Sequence, residues 1–318
     1  MNNTLYVITP YFNPWRYNSR KKLYFQFREY MRKFNCELVT IEVALKDRDF
    51  ETLYEKDGES YFPFKSQELN NNHILLRTKS ELWHKERAIN LAINRLPHDW
   101  KYVAWCDADV QFSRDDWVEE TIHRLQHYSV VQLFSESVNL SPSFEVVGNK
   151  RISFFKAFLE GYDLKAGPYF KLPHPGFGFA FTREAIDALG GLLDMAILGS
   201  ADLHMARALT GNVKQGLYAK LSKGYIEQLE LWQARADDFI HHNVGVVPGL
   251  CMHFWHGNRV DRKYHDRWKI LVDNGYDPEF DIKADGQGLF QFSKNKPKLE
   301  QQIREYFSSR NEDSIDVY

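Results

Sequence analysis

Cysteine is scarce in this chain: three in 318 residues, at positions 36, 106 and 251, with no paired spacing that would suit a metal knuckle. That excludes a disulfide framework and reads as reduced, buried thiols in a reducing compartment. Long apolar runs are missing too. A membrane span needs roughly 18 apolar residues, whereas the best stretches, 130–134 and 244–252, are short and interrupted by Gln132, Pro248 and glycines. The opening MNNTLYVITPYF lacks the charged-then-apolar layout of a secretory signal. The expectation is a soluble, cytoplasmic protein without a membrane span. A charge imbalance is also absent. Forty-one Lys and Arg face 43 Asp and Glu, a net charge of -2, so there is no overall basic field to hold nucleic acid or an anionic membrane. A nucleic-acid acceptor is therefore not indicated by charge. Internal repeats and low-complexity linkers are not found.

What is present is enough for a large core: 43% of residues are hydrophobic, and aromatics reach 15%, with eight Trp and 17 Tyr. Exposed aromatic rings offer flat faces to sugars or bases. The first half alternates strand and helix signals. Residues 5–9 form an apolar run stopped at Pro10, then Leu23, Phe27, Tyr30 and Phe34 recur at helical spacing. Segments 38–43 and 73–76 read as strands, and 46–72 as a polar insertion or loop. Ser80 is the expected cap of a helix carrying Leu82, Ile89, Ile93 and Leu96 and ending before Pro97. Residues 102–106 are apolar throughout, as a strand covered on both faces should be. Ser113 is expected to cap a helix with the stripe Val118, Ile122 and Leu125, followed by a strand at 130–134. This order predicts an α/β fold around a mostly parallel sheet with helices on both faces.

Three constellations carry chemistry. WCDADV (105–110) sets Asp107 and Asp109 at the end of the buried strand, where open parallel sheets bind ligands. Two such carboxylates offer hard oxygens to a divalent cation, which can in turn hold a diphosphate; the bland alternative is a turn. CMHFWHG (251–257) offers His253 and His256, whose side chains would leave an extended strand on opposite faces unless the backbone turns near Gly257. GSADLHMAR (199–207) reads as a helix capped by Ser200 and ended by Gly211, with Asp202 in its first turn. A carboxylate there is favoured in its ionised form, as a general base requires. Arg259, Arg262, Lys263 and Arg267 form a basic cluster that reads either as a diphosphate or polyanion contact or as a solvated helical face.

In this order, WCDADV, PHPGFGFAFTREA (173–185), the Gly190-Gly191 pair, GSAD and His256 resemble the GT-A glycosyltransferases. The likeness is to family 2-like members, particularly the β-1,4-galactosyltransferase and polypeptide N-acetylgalactosaminyltransferase group. The resemblance implies a GT-A domain over 1–280, divided into a nucleotide-sugar half (1–112) and an acceptor and metal half (113–280). A tail with one helix, around 298–307, would follow at 281–318. It implies Asp202 as catalytic base and a divalent metal, Mn2+ before Mg2+, on Asp107, Asp109, His256 and His253. Thr9, Pro10, Tyr11, Asn13, Glu42, Lys85 (in LWHKERAIN, 82–90) and Asp107 would meet the donor, a UDP-sugar by preference. Gly176, Phe177, Gly178 and Trp255 would meet the acceptor, a glycan, small molecule or modified macromolecule. The departure is Ala201, where that group usually has an acidic residue. The expected activity is transfer of a sugar to a hydroxyl with inversion. The alternatives are a nucleotidyltransferase or pyrophosphohydrolase on the same carboxylates, or an inactive sugar-binding module. Against the former, YFNPWRYNSRK after the first strand is not a glycine-rich phosphate loop.

Overall fold

The apolar runs become the centre of a seven-stranded sheet. In the computed structural model, which describes residues 3–53, 72–164, 173–215, 217, 220–264 and 266–317, β1 (Leu5–Tyr11) pairs in parallel with β2 (Glu37–Leu45) on one side and β4 (Tyr102–Cys106) on the other. The edge beyond β2 is β3 (His73–Thr78). Helix α1 (Asn18–Met31) connects β1 to β2, and α2 (Lys85–Ile93) connects β3 to β4. Past β4 lie β9 (Gly178–Thr182), β6 (Val130–Gln132) and β10 (Val244–Val246). β9 runs antiparallel to both its neighbours, and every other pair in this sheet is parallel. The expectation of a mostly parallel α/β sheet therefore holds.

Alternation along the strands builds a core on each face. Tyr6, Ile8, Val103, Trp105, Phe179 and Phe181 point into one cluster; Leu5, Val7, Ala104, Cys106 and Ala180 point into the other. The first cluster is covered by α2, α5 (Arg183–Leu189), α6 (Ala201–Ala208), α7 (Lys223–Phe239) and α8 (Arg267–Asp273). The second is covered by α1 and α3 (Trp117–Leu125). A smaller sheet, ordered β5 (Val110–Phe112), β11 (Leu250–His253), β7 (Glu136–Leu140) and β8 (Val146–Ile152), leaves the end of β4. α4 (Phe154–Leu159) follows it.

Several boundaries differ from those read in the sequence. Pro10 does not stop β1, which runs to Tyr11: pairing with β4 ends at Ile8 opposite Trp105, so beyond it one side of β1 needs no ladder N–H. The helix expected from Ser80 begins at Lys85. Residues 81–84 are held differently, with the Trp83 N–H on the Ile197 carbonyl and the His84 ring on the Ser80 carbonyl. Ser113 does not cap α3, which starts at Trp117. Its hydroxyl instead accepts the Leu250 N–H and ties β11 in place. The strand expected over 130–134 is shortened to β6 at Gln132, whose side chain bonds the His174 carbonyl and the Phe155 N–H.

Residues 278–308 pack onto the first cluster. After α9 (Pro278–Asp281) and the hairpin β12 (Ile282–Ala284) and β13 (Phe290–Phe292), α10 (Pro297–Ser308) buries Leu299, Ile303, Tyr306 and Phe307 in the first cluster. Most of the expected loop at 46–72 lies outside the described residues. Among those described, no helix is long and apolar enough to cross a membrane.

Candidate active site and metal centre

A deep cavity opens at the carboxyl ends of β1 and β4, lined by Pro10, Tyr11, Lys85, Asp107, Asp109, Gly176, Phe177, Asp202, His253 and His256 among others. Its floor follows from strand chemistry. β4 is buried until Cys106 and then releases Asp107 and Asp109 into the turn before β5. The backbone turns after His253, where the Phe254 N–H reaches the Asp109 carbonyl at 2.8 Å. That turn brings His253 and His256, from opposite faces of an extended strand, onto one point. Asp109 Oδ2 lies 2.9 Å from His256 Nε2 and 3.8 Å from His253 Nε2, and the two imidazole nitrogens are 3.2 Å apart.

This donor set fits a divalent cation. One carboxylate oxygen and two imidazole nitrogens lie within 4.8 Å of one another, a mixture suited to Mn2+ or its neighbours. Asp109 Oδ1 is buried without a hydrogen-bond partner, the kind of orphan a bound cation would satisfy. Burial pushes the Asp109 carboxyl upward, but His256, His253 and Arg262 outweigh it and hold it well below the usual carboxylate range. Burial drives His253 well below its ordinary value, against the pull of Asp109. Both groups are thereby kept in the ligating form.

Asp107 is held otherwise. Its Oδ1 is 2.5 Å from Lys85 Nζ, and that ammonium also sits 4.2 Å from the Trp105 ring centre. Burial raises the Asp107 carboxyl despite Lys85. Asp107 is not part of the three-ligand cluster found among the described residues.

Across the cavity, α6 presents Asp202 in its first turn. Ser200 precedes the helix but does not cap it. Its φ of 80° turns the side chain away, and its hydroxyl accepts from Arg267. Asp202 packs over Gly176, where a Cβ would stand 2.5 Å from Asp202 Oδ2. A side chain at 176 would push the Asp202 carboxylate aside. His174, Phe177 and His253 stack in succession, with ring centres 3.8 Å and 4.8 Å apart, linking this segment to the histidines.

Other expected residues lie off the cavity. Thr9 is fully buried beneath it. Asn13 shapes the turn into α1, with bonds to the Tyr17 backbone and to Glu51. Glu42 is buried inside β2, not at its end, and accepts the N–H groups of Glu51 and Thr52, so it anchors a loop. Gly178 lies within the sheet, where a Cβ would meet Leu133 and the Trp105 carbonyl at 2.8 Å. Trp255 points out of the cavity to bond the Ser314 carbonyl. None of these five lines the cavity.

Conversely, Arg20, Tyr264, Tyr306 and Arg310 line it without having been singled out, and Arg259, Arg262 and Arg267 of the basic cluster do so as well. Arg20 comes from α1 and Arg310 from the chain end, so no local pattern pairs them. Five arginines and Lys85 line the cavity against four acids, Glu86, Asp107, Asp109 and Asp202, a local cationic excess in a chain whose net charge is -2.

Glu86, beside Lys85, gives a pH test. Burial pushes its carboxyl up to about 8, partly offset by Lys85. A raised acid is held protonated by the fold, so its stabilising contribution is complete below about 4.5 and fades as pH rises through about 8. Glu86→Gln mimics the protonated form. Its unfolding midpoint should gain on the wild type across that window and stay above it by a constant margin at higher pH. Parallel midpoints throughout would refute the burial argument.

Residues 59–190 match the family model described as glycosyl transferase family 2. No curated protein sequence matches the chain. Among solved structures, the chain is similar to a Drosophila β1,4-galactosyltransferase 7 in complex with manganese, UDP-Gal and xylobiose, at 10% identity over 92% of this chain and 95% of that one, TM-score 0.36. It is similar to Mycobacterium tuberculosis glucosyl-3-phosphoglycerate synthase in complex with Mn2+, UDP and phosphoglyceric acid, at 11% identity over 94% and 91%, TM-score 0.37. A third likeness is 4-diphosphocytidyl-2C-methyl-D-erythritol synthase from Anaerococcus prevotii, at 11% identity over 77% and 87%, TM-score 0.34. Structural likenesses this distant assign no residue a role. The family match covers part of the chain, and the mostly parallel sheet with helices on both faces agrees with the expected GT-A fold.

Proposed function

We propose that the protein is a glycosyltransferase that moves a sugar from a nucleotide-sugar donor to an acceptor hydroxyl, with inversion. The observation that carries this reading is one cavity lined both by the Asp109, His253 and His256 cluster and by Asp202. Asp109, His253 and His256 would hold the divalent ion. Mn2+ is the first choice by donor chemistry and Mg2+ the second. Such an ion supplies neutralisation of the negative charge that grows on a departing diphosphate.

The chain's own residues supply the rest. Pro10 and Tyr11 border the donor side, and the Lys85–Asp107 pair offers both a cation for phosphate and an oxygen for a ribose hydroxyl. Asp202 faces the cavity over Gly176 and would take the proton of the acceptor hydroxyl. Gly176 and Phe177 would border the acceptor. In this reading the donor half is 1–112 and the acceptor and metal half 113–280, with the 281–318 segment closing the cavity through Tyr306 and Arg310. The three unpaired cysteines suit a reducing compartment, and we place the protein in the cytoplasm.

The test is a coupled assay for free nucleoside diphosphate across a panel of nucleotide sugars, UDP-sugars first, in Mn2+, Mg2+ and chelator. Release from at least one donor in metal, abolished by chelator, is expected. Pyrophosphate release from a nucleoside triphosphate and a sugar phosphate would replace the proposal with a nucleotidyltransferase. Donor binding without turnover would leave a sugar-binding module.

A further inference from the structure

The last described residues cross the loop that carries His256. Asp313 accepts the N–H groups of Asn18 and Ser19 at 3.0 Å and 2.7 Å, acting as a distant cap for α1, whose own Tyr17 provides no side-chain cap. Ser314 takes the Trp255 indole N–H at 2.6 Å. Just before these two anchors, residues 310–312 pass so close to Gly257 that a Cβ there would meet the Asn311 carbonyl and Glu312 Cα at 2.8 Å. Gly257, at φ 86°, is the residue that lets the strap lie down.

The strap delivers Glu312. Its side chain is 1% exposed, an unusual place for a carboxylate. Arg20 engages it through two nitrogens, and Arg310 Nε lies 2.8 Å from Oε1. Its other oxygen, Oε2, faces His256 Nδ1 at 3.5 Å, a buried nitrogen that no aligned hydrogen bond reaches. On the opposite side of the same ring, Arg262 Nη2 lies 2.9 Å from His256 Nε2. Nε2 thus faces both a guanidinium that can only donate and, in Asp109 Oδ2 at 2.9 Å, a carboxylate that can only accept, so it is the Glu312 carboxylate at Nδ1 that draws the ring proton to that nitrogen and leaves the Nε2 lone pair for a cation. Nδ1–H toward Glu312 and a lone pair toward Asp109 and His253 is the orientation a metal ligand needs.

We infer that Glu312 is a positioning residue of the metal centre: through the C-terminal strap it fixes the ring and tautomer of His256 so that Nε2 faces the cation. This rests on the metal assignment of the proposed function. The competing explanation is that Glu312 serves only as a counter-charge anchoring Arg20 and Arg310.

Two variants separate the roles. Glu312→Ala removes both the acceptor and the charge. Glu312→Gln removes the charge but keeps an amide oxygen able to accept from Nδ1–H. Two measurements use the full chain: the imidazole 15N spectrum of the metal-free protein, which reports which ring nitrogen carries the proton, and the dissociation constant of Mn2+ alone by calorimetry. The wild type should show the Nδ1–H tautomer at His256. Glu312→Ala should show a mixture, with Mn2+ affinity weakened on the order of 10–100-fold, the usual cost of losing a ligand's hydrogen-bond partner. Glu312→Gln should recover most of both. Recovery in Glu312→Gln is the result an anchoring role does not give, because the two guanidiniums remain without counter-charge. An Nε2–H tautomer in the wild type overturns the inference whether or not either variant folds. So does Mn2+ affinity in Glu312→Ala within about twofold of the wild type, or equal losses in both variants, on the same scale. If the wild type takes no Mn2+ at all, the metal reading of the proposed function falls first, and this inference with it.

Discussion

Asp109→Ala should abolish metal-dependent donor binding while the protein stays folded. The carboxylate is the one anion among the three converging ligands, and its Oδ2 is 2.9 Å from His256 Nε2. Without it two neutral imidazoles face a hard divalent cation beside the Arg262 guanidinium, a poor and repelled site. The loss of Mn2+ affinity should exceed the roughly 10–100-fold expected for losing only a ligand's hydrogen-bond partner. The fold should survive, because the backbone role of Asp109 persists: its carbonyl still receives the Phe254 N–H that turns the chain toward His256. Donor titrations in Mn2+ and in chelator, with circular dichroism as the check on folding, decide it. Donor affinity in Mn2+ equal to that of the wild type, or full donor affinity of the variant in chelator, would sink the assignment.

Asp202→Asn should leave donor binding near that of the wild type and lower transfer by a factor on the order of 10² or more, the scale of lost general-base help. The substitution keeps the shape over Gly176 and an oxygen to accept the Leu203 N–H, as Oδ1 does now at 2.8 Å. What disappears is the proton acceptor, at the start of α6 where the helix dipole favours negative charge. The product of the wild type should carry the anomeric configuration opposite to that of the donor. A normal transfer rate in the variant, or a retained configuration, would reduce Asp202 to a residue of the helix start.

Much of the cavity floor was legible in the chain. The apolar run at 102–106 marked a strand buried on both faces, and β4 supplies Val103 and Trp105 to one core and Ala104 and Cys106 to the other. Two carboxylates directly after such a run stand at the mouth of the sheet because the strand releases them there. The helical spacing of Leu23, Phe27 and Tyr30 appears in α1, each of the three buried. Element starts were less legible. Ser80, Ser113 and Ser200 each have the right residue type for a cap, yet none caps its helix, since tertiary partners claim the segment or the hydroxyl first. A cap preference is worth only about 1 kcal/mol, which a competing bond easily outweighs.

Gly178 and Trp255 show a different failure. Both stand beside residues that do line the cavity, but side-chain direction alternates along a strand and changes again at a turn. Sequence proximity to Phe177 and His256 therefore says little about what either neighbour faces.

The sequence by itself determined the α/β class, the buried strand that ends at Asp107 and Asp109, and the residue types capable of binding a cation. These depend on short-range periodicity and on chemistry carried by single residues. Only the tertiary structure decided which groups meet. β9 enters antiparallel between β4 and β6, Lys85 closes on Asp107, and two histidines converge after the turn that follows β11. Glu312 reaches Arg20 across 292 positions of chain to stand beside His256. Such contacts follow from how separate apolar faces pack into common cores, and that packing leaves no periodic trace in the residues it brings together.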